Sequence, residues 1–457
     1  MLISILSLSF GALDSKARFA FAAFYLRYRF KSTGPLTVDE LAGYLGMPAG
    51  ECAAALSRLL KESVLIAFSE PGRYAGRPKR SFRLHDDVSL KLAIARACPN
   101  PPAITAHLGV VEHLIKGPFI HATRPDLDVL SIPVKAASRP DGRAAVPKRS
   151  SLLSRSNRLL LAMLYGHADG FGVVGALSNA DLCKLTGLNP VSIKQRIRKL
   201  VELGFIRRHV PGVASPIFAE KLKSSYVLNL NHRQVAPAGD MIAFAVHEIL
   251  DKSPDDPAYL DEVWYDIGRY WRPSGRPASC DVRTPDVVLW LFGSAPKHAL
   301  QQFELFLSDC VTDLLTKHWE QVSLETLDFD LGVRDRISAF FRKPMKHVAD
   351  GSPLDENAIL DFLCLMTNLF AVDCKRRLSQ FDGVLFSGLS FRLLPGDLEQ
   401  GYASLGVLIE IAGDGGWLVT QSGVVSEATR FSTEAACSVA LRQKAGLLAT
   451  PRRGRSS

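Results

Sequence analysis

In the stretch LNPVSIKQRIRKLVELGFIRRH, residues 188–209, apolar side chains recur at helical spacing. At about 3.6 residues per turn, Ile193, Ile197, Leu200 and Val201 share one side, which must face a core, while Ser192, Gln195, Arg196 and Lys199 share the other. Asn189 suits the N-cap and Pro190 the first helical position. Gly204 stops the helix and Phe205–Ile206 begins a short extended piece. Just upstream, ALSNADLCKLTG predicts a shorter helix: Ser178 and Asp181 form a capping box, Leu182 and Leu185 give an inward face, and Gly187 ends it in a tight turn. SNRLLLAMLYGHA at 156–168 predicts a preceding helix, and SSYVLNLNH at 224–232 a return strand after the basic helix.

Two short helices joined by a few residues, the second one basic, follow the helix-turn-helix pattern. With the preceding helix and the strand pair, residues 152–236 resemble the winged helix-turn-helix superfamily of bacterial DNA-binding proteins. The likeness rests on element order and capping, with no invariant motif. A shift of 141 residues, without a gap, lays GPLTVDELAGYLGMPAGECAAALSRLLKESVLI (34–66) over GALSNADLCKLTGLNPVSIKQRIRKLVELGFIR (175–207). Gly34, Leu36, Leu41, Gly46 and Leu59 meet Gly175, Leu177, Leu182, Gly187 and Leu200, and Thr37 with Glu40 repeats the capping box. The coincidences fall on caps, turn and core, so the pattern is an internal duplication. SKARFAFAAFYLRYRF at 15–30 supplies the first helix of the earlier copy.

The copies are chemically unequal. In the first, the helix at the recognition position, PAGECAAALSRLLKE (48–62), has alanines and an acid where the second has Lys194, Gln195, Arg196 and Arg198. Its hairpin loop, EPGRYAGRPKRSFRL, instead clusters Arg73, Arg77, Lys79 and Arg80, a composition suited to a wing lying along phosphates. The second copy is expected to read the major groove through Ser192, Gln195, Arg196 and Lys199, with Arg198, Arg207 and Arg208 on flanking phosphates and Lys194 also among the DNA-binding residues. A solvated surface helix and an exposed basic turn are the plainer readings of the same residues.

Charge separates along the chain in the same sense. Residues 1–236 hold 33 Lys and Arg against 16 Asp and Glu, and residues 237–457 hold 22 against 30. The basic half is the one with both copies, and a polyanion is its natural partner. A membrane surface competes for that role, but the charges sit on compact units and form no long amphipathic helix. The apolar start MLISILSLSF has no preceding cation and no small-residue cleavage pattern, so no secretory signal is expected. AILDFLCLMTNLFAV at 358–372 reads as a buried helix too short for a bilayer.

Candidate chemistry is sparse. The eight cysteines form no CxxC pair, which suits free thiols in a reducing cytoplasm. Cys310, His318 and His298 are spaced too widely along one helix to share an ion, and neither a metal nor another cofactor is expected. SGLSF at 387–391 lacks the last glycine of a nucleophile elbow, GDGG at 413–416 reads as a hairpin turn, and Asp328 with Asp330 is an isolated acid pair. The expected class is therefore a binding protein and not an enzyme.

The expected fold is mainly α with small β-hairpins: two winged helix-turn-helix domains at 1–92 and 152–236, then a mainly α-helical acidic domain at 237–448. Between the two winged domains lie a helical extension, 93–131, and a linker, 132–151. A disordered basic tail, 449–457, ends the chain. In the acidic domain helices are expected at 239–252, 258–271, 297–321, 333–349, 355–380 and 433–448, with a hairpin at 405–421. It is also a candidate homodimer interface. The aromatic run Trp264, Tyr265, Tyr270 and Trp271 reads as packing more readily than as a ligand pocket. The expected function is sequence-specific binding of double-stranded DNA by a cytoplasmic, bacterial-type transcriptional regulator. A replication initiator of a plasmid or mobile element and a winged-helix interaction adaptor are the alternatives.

Overall fold

The computed structural model describes residues 13–69, 79–97, 106–116, 153–175, 177–232, 234–235, 242–248, 266, 284–293, 295–323, 332–341, 356–379, 385–395, 404–410, 417–420, 429–431, 434–444 and 447–448. The expectations for the N-terminal ten residues, the linker, the basic tail, the acid pair at 328 and 330 and the aromatic run at 264–271 lie outside them. The fold is mixed, mostly helical with small sheets. The chain divides into two compact units, one of Met1–Ile206 and Tyr226–Ala238, the other of Arg207–Ser225 and Gly239–Ser457.

The first unit opens with α1 (Ser15–Tyr28), α2 (Val38–Tyr44), α3 (Ala49–Lys61), β1 (Leu65–Ser69) and β2 (Arg80–Leu84). β1 and β2 pair antiparallel, Leu65 opposite Leu84. α4 (Asp86–Ala97) and α5 (Leu108–Lys116) follow. The second repeat then supplies α6 (Arg155–Tyr165), β3 (Val173–Val174), α7 (Asn179–Thr186), α8 (Pro190–Glu202) and the start of β4 (Ile206–Val210). β5 (Ser225–Leu228) returns the chain, with Val174 opposite Tyr226. The shift of 141 residues carries α3 onto α8 and β1 onto β4, end to end.

The two repeats share a single core instead of forming separate bodies. Phe19, Phe24, Leu41 and Leu59 of the first and Leu160, Leu182, Ile197 and Leu200 of the second belong to one buried cluster. α5 joins it through Val111 and Leu114. Its last carbonyls, which have no partner within the helix, are met by the buried Arg158: Nε donates to Leu114 O at 2.7 Å and Nη2 to Ile115 O at 3.3 Å. Burial pushes the pKa of this guanidinium down to about 10.

The second unit is not all helical. β6 (Ile242–Glu248) lies where a helix was expected at 239–252. It is followed by α9 (Asp286–Gly293), α10 (Lys297–Lys317), α11 (Val333–Phe340), α12 (Glu356–Leu378), β7 (Ser390–Leu394), β8 (Ser404–Glu410), β9 (Trp417–Thr420), β10 (Thr429–Phe431), a single 3-10 turn (Glu434–Ala436) and α13 (Val439–Lys444). Of the helix expected at 258–271 only Asp266 is described. The strands form one sheet in the order β10-β9-β6-β8-β7. The expected hairpin at 405–421 does not form, because β6 lies between its two strands, antiparallel to β8 and parallel to β9. α10 covers the edge strand β7: Thr316 Oγ1 and Thr312 Oγ1 accept the N–H groups of Phe391 and Leu393, which satisfies donors an edge would expose. By length and composition α12 could cross a membrane, although half of its apolar window is buried here and Leu363, Ala371 and Cys374 lie in the core.

Residues 211–224, between β4 and β5, are built into this second core. Gln302 Nε2 donates to Pro211 O at 2.8 Å and to Lys223 O at 3.0 Å, and Ala219 N–H donates to Phe340 O. Val213, Ile217 and Phe218 are buried, the last 4.9 Å from the Phe340 ring.

Candidate nucleic-acid interface

Local chemistry fixes α7 and α8. Ser178 N–H donates to Asp181 Oδ2 and Asp181 N–H to Ser178 Oγ, closing the capping box. Gly187 caps α7 in the left-handed region at φ 68°, and a Cβ there would run into the Leu13 carbonyl oxygen and the Asp14 backbone, so glycine is required twice over. Asn189 Oδ1 then accepts the Ser192 N–H at 2.8 Å and Pro190 starts α8. Burial of Ile193, Ile197 and Leu200 turns the opposite side outward.

That outward side carries Val191, Lys194, Gln195, Arg198 and Lys199, all exposed, with Ser192 half-buried beside them. Val191, 66% exposed, was not among the expected contacts; its signal was an apolar residue at the start of a polar row. Arg198 Nε lies 3.0 Å from Glu202 Oε1 and Lys199 Nζ 3.9 Å from Glu202 Oε2. Exposed pairs of this kind hold their partners weakly, so both cations remain available to a stronger anion.

Three expected contacts are placed differently. Arg196 Nη1 donates to Ser154 Oγ at 3.0 Å and to Asn157 Oδ1 at 2.7 Å, tying α8 to the start of α6, and burial lowers its pKa. Arg207 is a correction: it is 1% exposed and forked onto Glu434, Nη1 to Oε1 at 2.7 Å and Nη2 to Oε2 at 2.6 Å, with Nη1 also donating to Leu447 O. A guanidinium so enclosed presents nothing to a phosphate. Arg208 is half-buried and donates to Pro395 O.

In the first repeat, α3 exposes Gly50, Ala53, Ala54 and Ser57 where α8 exposes Val191, Lys194, Gln195 and Arg198. Two of its charged residues, Glu51 and Arg58, have ion-pair partners nearby, while Lys61 is exposed at its end. Glu51 pairs with Arg155 at 2.8 Å and Lys16 at 3.3 Å, and Arg58 with Asp14 at 2.6 Å. Lys79 and Arg80 are exposed at the base of the hairpin, Lys79 being 3.6 Å from Glu40. Arg73 and Arg77 lie outside the described residues.

Among the described residues no three His, Cys, Asp or Glu side chains gather closely enough to hold a metal ion. Cys310 is buried, which pushes its thiol pKa up to about 12. His298 and His318 bond to Gln301 and Gln321. Compared with known protein families, curated proteins and solved structures, the chain matches none.

Proposed function

We propose that the two repeats are winged helix-turn-helix units and that the chain is a sequence-specific duplex DNA-binding protein, a cytoplasmic transcriptional regulator of bacterial type and not an enzyme. The observation that carries the reading is the outward row of α8. Long cationic and amide side chains stand together on a rigid helix whose other side is anchored by Ile193, Ile197 and Leu200. Lys and Gln are residue types that bond base edges in the major groove, and an apolar side chain such as Val191 suits a thymine methyl. Arg198 and Lys199 would lie against phosphates, as would Lys79 and Arg80 on the hairpin of the first repeat.

Because both repeats belong to one core, one chain supplies two heads, and the row of long cationic and amide side chains stands on only the second. A second copy of the chain is then not required for a two-part footprint. The test is selection of a randomised duplex library by the full chain, followed by mapping of the enriched sequences. A defined motif in promoters supports a regulator, and repeated sites at one origin would favour a replication initiator. Retention of protein partners without any DNA enrichment would favour an adaptor and overturn the reading. Affinity should fall steeply with salt, since each phosphate neutralised releases condensed counterion.

A further inference from the structure

We infer that the C-terminal end of α1, with the facing side of α2, is a binding site for single-stranded nucleic acid, separate from the duplex-reading row on α8. The end of α1 runs Arg27, Tyr28, Arg29, Phe30, Lys31, alternating cations and rings. Phe30 is 46% exposed and Tyr44 of α2 48% exposed, and Arg27 lies over the Tyr44 ring with its guanidinium carbon 4.4 Å from the centroid. Phe30 is braced from below by the buried Tyr25, edge to face at 5.7 Å, so its ring is held and not merely loose at the surface. Arg27, Arg29 and Lys31 are all exposed, and among the described residues no carboxylate pairs with any of them.

Arg29 adds a second kind of observation. It caps α1 at φ 53°, ψ −116°, a conformation rarely held by a residue with a side chain. The chain is committed to it by the Arg29 N–H to Tyr25 O bond of 2.7 Å and by the Thr33 N–H to Phe82 O bond of 2.9 Å that begins the next segment. Glycine would be the relaxed choice, yet the position carries a long cation. In the second repeat the equivalents of Arg27, Arg29, Lys31 and Tyr44 are Ala168, Gly170, Gly172 and Leu185, so neither the charges nor the second ring recurs. The patch belongs to the repeat whose α3 exposes Gly50, Ala53 and Ala54 where α8 exposes Val191, Lys194 and Gln195.

Exposed rings interleaved with cations that have no carboxylate partner among the described residues suit a strand whose bases are unstacked. Each base offers a face to an aromatic ring, and the phosphates between them lie near the cations. A duplex keeps its base faces covered and could use only the cations.

The test uses the full chain and two probes: a labelled oligothymidylate of about twenty nucleotides, and a mixed-sequence duplex of the same length. Replacing both rings, Phe30→Ala with Tyr44→Ala, should weaken oligothymidylate binding about tenfold or more while leaving duplex affinity within about twofold. Phe30→Trp should keep the affinity and show fluorescence quenching on titration with oligothymidylate, a signature of stacking that a purely electrostatic contact would not give. Failure of the unsubstituted chain to bind oligothymidylate, an unchanged affinity in the double variant, or a tryptophan that is not quenched would each overturn the inference. So would binding to phosphatidylserine vesicles, abolished by the ring variant, in place of binding to the oligonucleotide. Duplex binding can fail without affecting these outcomes.

Discussion

Ser15 Oγ and Ser156 Oγ lie 2.8 Å apart in a buried hydrogen bond, and the two serines are 141 residues apart, the same position in each repeat. In a two-fold assembly only residues on the axis meet their own equivalents, while off-axis contacts come in reciprocal pairs. Such pairs are present. Gly187 abuts the backbone of Leu13 and Asp14, and its counterpart Gly46 accepts a bond from Arg155, the counterpart of Asp14. The repeats therefore pack as a homodimer would, within one chain. Ser15→Ala and Ser156→Ala should each cost about 1 kcal/mol in urea unfolding, and the double variant clearly less than the sum, since it leaves no hydroxyl without its partner. Additive losses would mean that the two hydroxyls do not act as a pair.

A second equivalence can be tested in the backbone. α3 and α8 end alike, with Val64 N–H on Leu59 O and Phe205 N–H on Leu200 O, and the residue at the bend has positive φ in both: 52° at Ser63 and 76° at Gly204. Ser63→Gly should stabilise the chain by about 0.5–1 kcal/mol, strain relief exceeding the added freedom of the unfolded chain. Gly204→Ala should destabilise it by about 1 kcal/mol or more. Thermal unfolding of the two variants reads both signs.

The repeats were legible because their signals are local: a cap, a glycine at a bend and an apolar row need no knowledge of distant residues. The second unit was less so. AFAVHE in β6 is flanked by β8 and β9, and a strand with neighbours on both sides can be an apolar run that periodicity does not separate from a helix. In the sequence GDGG reads as a turn between neighbouring strands, yet β6, more than a hundred residues upstream, lies between β8 and β9. Charge also proved a weak guide to exposure. Arg196 and Arg207 read as surface cations, and only the fold brings Asn157 and Glu434 to them.

The Arg207–Glu434 pair has side chains only 1% exposed on both partners. Removing one charge strands the other in a dry site, so Arg207→Met or Glu434→Leu alone should cost about 3–5 kcal/mol, whereas the two together should recover most of the loss. Circular dichroism melts of the three variants decide it. Stable single variants with selectively weakened DNA binding would instead restore Arg207 as a phosphate contact.

His209 gives a pH dependence. Burial, with a smaller contribution from His298, lowers its pKa to about 4, so it stays neutral in the folded chain where an unfolded histidine would take a proton. The unfolded state then binds the extra proton between its ordinary value of about 6.5 and the folded value. Stability is intact above that window and falls as the pH drops through it, by roughly 3 kcal/mol at the lower end. His209→Asn should flatten the profile over the same range; an unchanged slope would assign the loss to other groups.

The residues of α8 separate reading from holding. Gln195 is exposed with its neighbours in the outward row, while Arg196, one position on, is bonded to Ser154 and Asn157. Gln195→Ala should leave the melting temperature unchanged and cost about 1–3 kcal/mol against a selected duplex, with preference relaxed at the base pair it contacts. Arg196→Ala should lower the melting temperature and weaken selected and scrambled duplexes in the same proportion, because it loosens the helix without removing a base contact. Selection from a randomised duplex library with both variants, beside their thermal melts, distinguishes the two roles. A preference that shifts in the Arg196 variant and persists in the Gln195 variant would reverse the assignment, and would require Arg196 to leave Asn157 on binding.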